Sequence, residues 1–150
     1  MPQFWLMKTE PETFSITDLE RVRLEPWTGV RSTFARFHMR AMAPGDGVLF
    51  YHSSCPEPGI AGLAEVASAA YPDKTQFDRK SDYFDAQSKK DRPRWFNVDV
   101  RALKKTRLLS LQELKAHKPL AKMVVLRPGN RLSITPVTEG EWKYITGQLL

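Results

Sequence analysis

Trp27-Thr28-Gly29-Val30-Arg31-Ser32, running on into Thr33-Phe34-Ala35-Arg36-Phe37-His38-Met39-Arg40-Ala41-Met42, sets an aromatic ring, a flexible turn, a cation and a helix start within six residues. Ser32 is a good N-cap, because its hydroxyl can accept from an amide that has no partner inside the helix. The other amides of that first turn can receive an anion or the edge of a base, and Arg31 would stand beside them. A flat ring, a guanidinium and backbone donors are what holding one nucleobase requires, since a base offers a π face for stacking and an edge for directed hydrogen bonds. The same arrangement is also common packing: an aromatic, a glycine turn and a capped helix.

At 100° per residue from Ser32, the residues Thr33, Arg36 and Arg40 share the arc of the cap, while Phe34, Ala35, Phe37, His38, Met39, Ala41 and Met42 fill the rest. The helix is therefore expected to be largely buried, with His38 as a core residue. Arg36 and Arg40 point the same way and serve equally as a solvated face or as a pair of phosphate contacts.

Outward from this helix, Phe4 to Lys8 reads as a first strand ended by Glu10-Pro11, and Ser15 caps a helix from Ile16 to Arg23 with Asp18 at the capping-box position. Pro44-Gly45-Asp46-Gly47 is a turn. A buried strand from Val48 to His52 follows it, and beyond the loop Ser53 to Pro58 comes a small-residue strand from Gly59 to Ala69. Tyr71 to Pro93 is polar and charged, so it reads as a long loop or as a mobile flap over a site. Trp95 to Lys105 is a long strand, and Ser110 opens a helix from Leu111 to His117. Leu132 to Thr135 is a short strand closed by Pro136, and Thr138 caps a last helix with Glu141 completing a capping box. Trp95 and Trp142 are core anchors, and Trp5 is a further core candidate.

Strands interrupted by short helices, in an order that is not βαβαβ, make an α+β domain with a small curved or closed sheet. No glycine-rich phosphate loop is present, which argues against a nucleotide-cofactor enzyme, and no cofactor is expected. The 150 residues, 41% of them hydrophobic, fit one globular domain from residue 1 to 150. No apolar run approaches the roughly 20 residues that cross a bilayer, and Met1 to Glu10 lacks the basic start and apolar stretch of a signal peptide. The expectation is a cytoplasmic protein without a membrane partner, nucleoid-associated in a bacterium or nuclear in a eukaryote, and a monomer. Three His and one Cys are scattered without metal-ligand spacing, so no metal is expected, and Cys55 lacks the paired base that a nucleophile needs.

The net charge of +6 is uneven. Met1 to Phe50 holds six basic and six acidic residues, whereas Asp73 to Arg131 holds 16 and 7, an excess of nine. Lys89, Lys90, Arg92 and Arg94 concentrate this excess and are the expected contacts to a nucleic-acid backbone, since such a patch attracts polyanions without reading sequence.

The motifs Trp5-Leu6-Met7-Lys8-Thr9-Glu10-Pro11, Trp27 with Gly29-Val30-Arg31, Gly45-Asp46, Phe50-Tyr51-His52-Ser53, Pro58-Gly59-Ile60, Ala70-Tyr71-Pro72-Asp73, Val98-Asp99-Val100 and Pro136-Val137-Thr138 span nearly the whole chain. Together they resemble the EVE domain family of the PUA-like superfamily. The resemblance implies an α+β fold, a PUA-like mixed β-barrel of about five to six strands with peripheral short helices around one pocket. It further implies a non-catalytic domain that binds a modified base, 5-methyl- or 5-hydroxymethylcytosine in DNA or a modified base in RNA.

Carried onto this chain, the family pocket draws on Lys8 and Thr9, on Trp27, Gly29, Val30, Arg31 and Ser32, and on Tyr51, His52 and Ser53. Tyr51 and His52 point to opposite faces of a strand, and the expected arrangement has Tyr51 near the pocket and His52 toward the surface loop. The family pattern has Asn at positions 32 and 37, where this chain has Ser32 and Phe37. An Asn amide carries a donor and an acceptor on one rigid group, whereas Ser32 offers one hydroxyl that the helix cap can claim. The alternative function is that of an ASCH-like hydrolase of a modified cytidine, for which Lys8, Thr9 and Glu65 supply the residue types.

Overall fold

Side chains alternate along the first strand, and the alternation divides the interior in two. In the computed structural model, which describes residues 2–129 and 131–150, β1 is Phe4–Thr9. Trp5 and Met7 face one cluster of buried residues, and Leu6 faces another. The same division holds in β3 (Gly47–His52), where Val48 and Phe50 join Trp5 while Leu49 and Tyr51 join Leu6. The remaining strands are β2 (Leu24–Pro26), β4 (Gly59–Val66), β5 (Tyr71–Pro72), β6 (Phe96–Asn97), β7 (Asp99–Ser110) and β8 (Ile134–Val137). Six of them form one mixed sheet in the order β2-β7-β4-β3-β1-β8, and β5 pairs with β6 apart from it. Only β1 and β3 run parallel within the sheet, which is the mixed strand set expected of the PUA-like fold.

Short helices cover both faces. On the first face lie α1 (Ile16–Val22), through Ile16 and Leu19, and α2 (Thr33–Ala41), through Ala35 and Met39. On the second lie α3 (Leu111–Lys115), through Leu114, and the turn Ile145–Leu149 that continues α4 (Glu139–Tyr144). The capping boxes read from sequence are formed: Ser15 with Asp18 opens α1, and Thr138 with Glu141 opens α4.

Several local expectations are corrected. The α2 helix is not largely buried, since only Ala35 and Met39 within it are enclosed, while Phe34 and Phe37 are 68% and 72% exposed. Its neighbours are the edge strand β8 and the two-residue β6, which cover one side of the helix only. His38 is half-buried, tilted against Trp5 at 5.4 Å, and burial holds its imidazole below the ordinary value. Pro136 does not close β8 but lies inside it opposite Trp5, and β8 tolerates a residue without an N–H because it is an edge strand. The long strand expected from Trp95 splits into β6 and β7, and β2 was not read at all. Three residues holding Pro26 carry too little period to be seen.

Trp5 is a full member of the core at 3% exposure, and its polar edge is satisfied by one buried carboxylate. Asp46 accepts from Trp5 Nε1, from the Gln3 amide and from the Ala43 amide, each at 3.0 Å, so the turn before β3 is locked to β1. Three donors converge on a group only 3% exposed. Asp46→Ala is expected to cost about 3 kcal/mol, because it strands those donors away from water. Urea unfolding of the variant against the wild-type chain checks this, and a change within a few tenths of a kcal/mol would refute the locking role.

Candidate functional site

A cavity of about 430 Å³ opens on the first face of the sheet, where the ends of β1 and β2 meet the loop leading to α2. Trp27 forms its inner wall. The indole is almost enclosed at 9% exposure and stands edge-on to Phe50, with ring centres 5.7 Å apart at 86°. Lys8 and Thr9 come from the end of β1, Glu25 comes from β2, and residues 28–32 with Tyr83 form the rim. The first motif is therefore brought together as expected. Glu25 was missed by sequence reading because its strand was missed.

The loop is held by a carboxylate that sequence reading quoted without giving it a role. Asp73 is wholly buried and accepts from the Gly29 amide at 2.8 Å, from Arg31 Nη1 at 3.2 Å, and from the Thr75 amide and hydroxyl at 2.9 and 2.6 Å. Burial pushes its carboxyl up, but the Thr75 hydroxyl, the Gly29 and Thr75 amides and Arg31 outweigh it, so Asp73 sits below its ordinary value. Gly29 is required twice over. Its φ of +85° belongs to the left-handed region, and a Cβ built there would come within 2.7 Å of the Tyr83 ring.

Arg31 is a clamp. Its Nη1 donates to Val30 O and Asp73, its Nη2 to Thr75 Oγ1 and Tyr83 O, and its Nε also to Tyr83 O, at 2.8–3.2 Å. These five contacts match the five N–H donors of a guanidinium. The residue expected to present a cation to a ligand instead ties the 27–32 loop to the segment 73–83. Ser32 is likewise committed, its hydroxyl accepting from the Ala35 amide at 3.3 Å.

The polar stretch expected as a loop or flap is pinned at its base. Gln76, wholly buried, donates to Asp73 O and Trp95 O and accepts from Ser88 and from the Arg94 and Trp95 amides. Nothing in its sequence surroundings marks this role. Trp95 is a core anchor as expected, with the guanidinium centres of Arg31, Arg36 and Arg94 at 5.0–5.5 Å from its ring. Arg40 lies 4.5 Å over Phe96. Arg36 and Arg40 thus cover aromatic rings, an outcome the helical spacing alone left open.

Tyr51, His52 and Ser53 do not line this cavity. The pleat places Tyr51 on the second face and His52 on the first, the reverse of the expected arrangement. His52 Nε2 accepts from the Ile16 amide at 3.1 Å and so finishes the start of α1; burial and then Lys105 hold its imidazole below the ordinary value. Ser53 bonds to Thr9 O and borders an adjoining cavity. Lys89, Lys90 and Arg92 lie exposed around a Lys89–Arg92 bridge, while Arg94 pairs with Asp85 at 2.8 Å.

The hydrolase set is not assembled as read from sequence. Glu65 pairs in register with Gly47, which pairs with Phe4, whereas Lys8 pairs with Tyr51. Four residues of strand separate the two, about 13 Å, and Glu65 is bound to Arg101 at 2.9 Å. Among the described residues no group of His, Cys, Asp or Glu is arranged to hold a metal.

Asp73→Asn is expected to lower stability by about 3 kcal/mol at pH 7, because it leaves Arg31 facing a neutral partner. The depressed carboxyl stabilises the fold above the ordinary aspartate value near 3.9, and this contribution is lost as pH falls through the lower folded value. The gap between wild-type and Asp73→Asn chains in urea unfolding should therefore close below about pH 4. A gap independent of pH would refute the ionic role.

The sequence model of the EVE domain family matches residues 3–148. Thymocyte nuclear protein 1 of Homo sapiens is 43% identical over 161 residues, a match covering 94% of this chain and 71% of that protein. The structure of a hypothetical protein from Leishmania major superposes with a TM-score of 0.93 at 46% identity, covering 98% of this chain and 94% of that one. The human THYN1 protein in complex with 5-methylcytosine containing DNA superposes with a TM-score of 0.90 at 42% identity, covering 97% and 96%. With the family's sequence model spanning nearly every residue, and a relative 43% identical that is covered over 71% of its own length, the chain belongs to the EVE domain family.

Proposed function

We propose that this chain is a non-catalytic reader of a modified base, taking 5-methyl- or 5-hydroxymethylcytosine from DNA into the cavity beside Trp27, and that residues 1–150 act as one such domain. The observation that carries this is the cavity itself: about 430 Å³, walled by an indole and bordered by one carboxylate and one ammonium. Its volume falls in the range of about 300–1,000 Å³ typical of ligand pockets. A relative 42% identical in sequence is described in complex with 5-methylcytosine containing DNA, which supports the same class of ligand here. A modified base in RNA offers the same ring and edges.

In this reading Trp27 provides the stacking surface and Glu25 accepts from the exocyclic amino group that cytosine carries and thymine and uracil lack. Lys8 and Thr9 border the base, and Val30 and Ser32 shape the rim. Gly29 and Arg31 act by holding the loop. Lys89, Lys90 and Arg92 attract the backbone, in the cytoplasm or in a nucleus, as the name of the human relative suggests.

Trp27→Leu keeps the core filled while removing the π face, and is expected to cost about 1–3 kcal/mol of base affinity. Glu25→Gln is expected to weaken 5-methylcytidine about tenfold, a charged hydrogen bond being worth about 1.5–3 kcal/mol. Calorimetric titration of folded variants with 5-methylcytidine and cytidine reads both effects. Unchanged affinities in both variants would remove the base from this cavity.

No turnover is expected. Glu25 rather than Glu65 shares the cavity with Lys8 and Thr9, but the Thr9 hydroxyl donates to Phe14 O at 3.0 Å and is not directed at a ligand. Burial holds the Lys8 ammonium below its ordinary value, yet a base also needs a proton to take and a partner acid. Incubation with acetylated, methylated and hydroxymethylated cytidines followed by mass spectrometry should return the substrates intact. Product that disappears in Lys8→Ala or Glu25→Gln would make the hydrolase the correct assignment.

A further inference from the structure

Lys8 borders more than the base cavity, and the space on the other face of the sheet has a different chemistry. A second cavity of about 290 Å³ is lined by Lys8, Tyr51, Lys115 and Arg127, with apolar walls from Leu111 and Val125 and no carboxylate. Alternation along β1 explains the placement: Lys8 follows Leu6 onto the second face, and its ammonium lies 5.8 Å from the centre of the Tyr51 ring.

Tyr51 is only 3% exposed, and among the described residues its hydroxyl has no hydrogen-bond partner. The hydroxyl is not among the enclosed side-chain atoms left without a partner, so it is reached from the cavity and is open to donate to a ligand oxygen there. Lys115 and Arg127 form no ion pair among the described residues. The nearest acid in sequence, Glu113, is held by Arg107 at 2.7 and 2.9 Å and does not border the cavity. Three cations and a phenol donor therefore surround one space with no charge to balance them, an arrangement suited to a group with several anionic oxygens.

We propose that this cavity binds a phosphoryl group, and specifically a backbone phosphate of the nucleic-acid strand whose base enters the first cavity. This rests on the reader function for the identity of the strand, because Lys8 borders both spaces and a single chain passing it would place a base on one side and a phosphate on the other. The site differs from the exposed Lys89–Arg92 patch, which offers charge on an open surface.

The test uses the full chain, its Lys115→Gln/Arg127→Gln double variant and Tyr51→Phe, which replace two exposed side chains and one hydroxyl. Probes are a duplex oligonucleotide carrying 5-methylcytosine, free 5-methylcytidine, and inorganic phosphate followed by NMR shifts. The double variant should lose about 1 from the slope of log K against log salt for the oligonucleotide, about one phosphate contact, while binding 5-methylcytidine within twofold of wild type. Inorganic phosphate should shift Tyr51 in the wild-type chain and bind at least threefold more weakly to Tyr51→Phe. An unchanged oligonucleotide slope overturns the proposal, and if phosphate still shifts Tyr51 in that case, the cavity serves free phosphate and not a strand. An equal loss for nucleoside and oligonucleotide overturns it too, since the two cavities would then be one site. Failure of every protein to bind 5-methylcytidine would strike the base reading alone, because the slope difference and the phosphate shifts report on this cavity separately.

Discussion

The buried carboxylate of Asp73 receives the Gly29 amide, the Arg31 guanidinium and two donors of Thr75, and the shape of the site follows from that convergence. An ionised group taken out of water is tolerated only when its oxygens are fully bonded, and here the bonds come from two stretches of chain more than forty residues apart. The carboxylate therefore brings the 27–32 loop against the 73–83 segment and fixes the separation between them. Arg31 completes the join by reaching past Asp73 to the Tyr83 carbonyl. The base cavity is the space left between this clamped loop and the end of β1.

A second layer of interactions supports the first. Gln76 bonds to both sides of the turn that carries Asp73, and Trp95 lies beneath three guanidinium groups while donating its indole N–H to Asp85 at 2.7 Å. Arginine suits such stacking because its planar cation is weakly hydrated and keeps in-plane donors free for carbonyls, as Arg36 does toward Arg94 O at 2.9 Å. A stretch whose composition reads as a solvated loop is thereby made part of the scaffold. The basic character of the chain is partly internal: some of its cations hold aromatic rings, and others, such as Lys115 and Arg127, face open space.

The sheet separates the chemistry of its two faces. The pleat sends Thr9, Phe50 and His52 toward the base cavity side, and Lys8 and Tyr51 toward the other. Lys8 ends its strand, so a long flexible side chain can border both spaces. The register irregularity between Phe50 and Tyr51 lies where the strand runs from the core toward the sites.

Much was legible in the sequence because it depends on neighbours in the chain. The N-caps at Ser15, Ser32, Ser110 and Thr138 are local hydrogen bonds, and each opens a helix where it was read. The strands at Phe4, Val48 and Gly59, the family motifs and the grouping of Trp27 to Ser32 follow from short-range pattern in the same way. What only the tertiary structure decided is how groups distant in sequence meet. The sequence contained Asp73, Gln76 and Glu25 but not their partners, and it contained Arg31 without the four acceptors that use all its donors. It could not choose the face for Tyr51 or His52, since a period of two assigns opposite sides without saying which side holds the site. Nor could it expose Phe34 and Phe37, because burial depends on what packs against a helix, and edge strand β8 and the two-residue β6 cover only one side of α2.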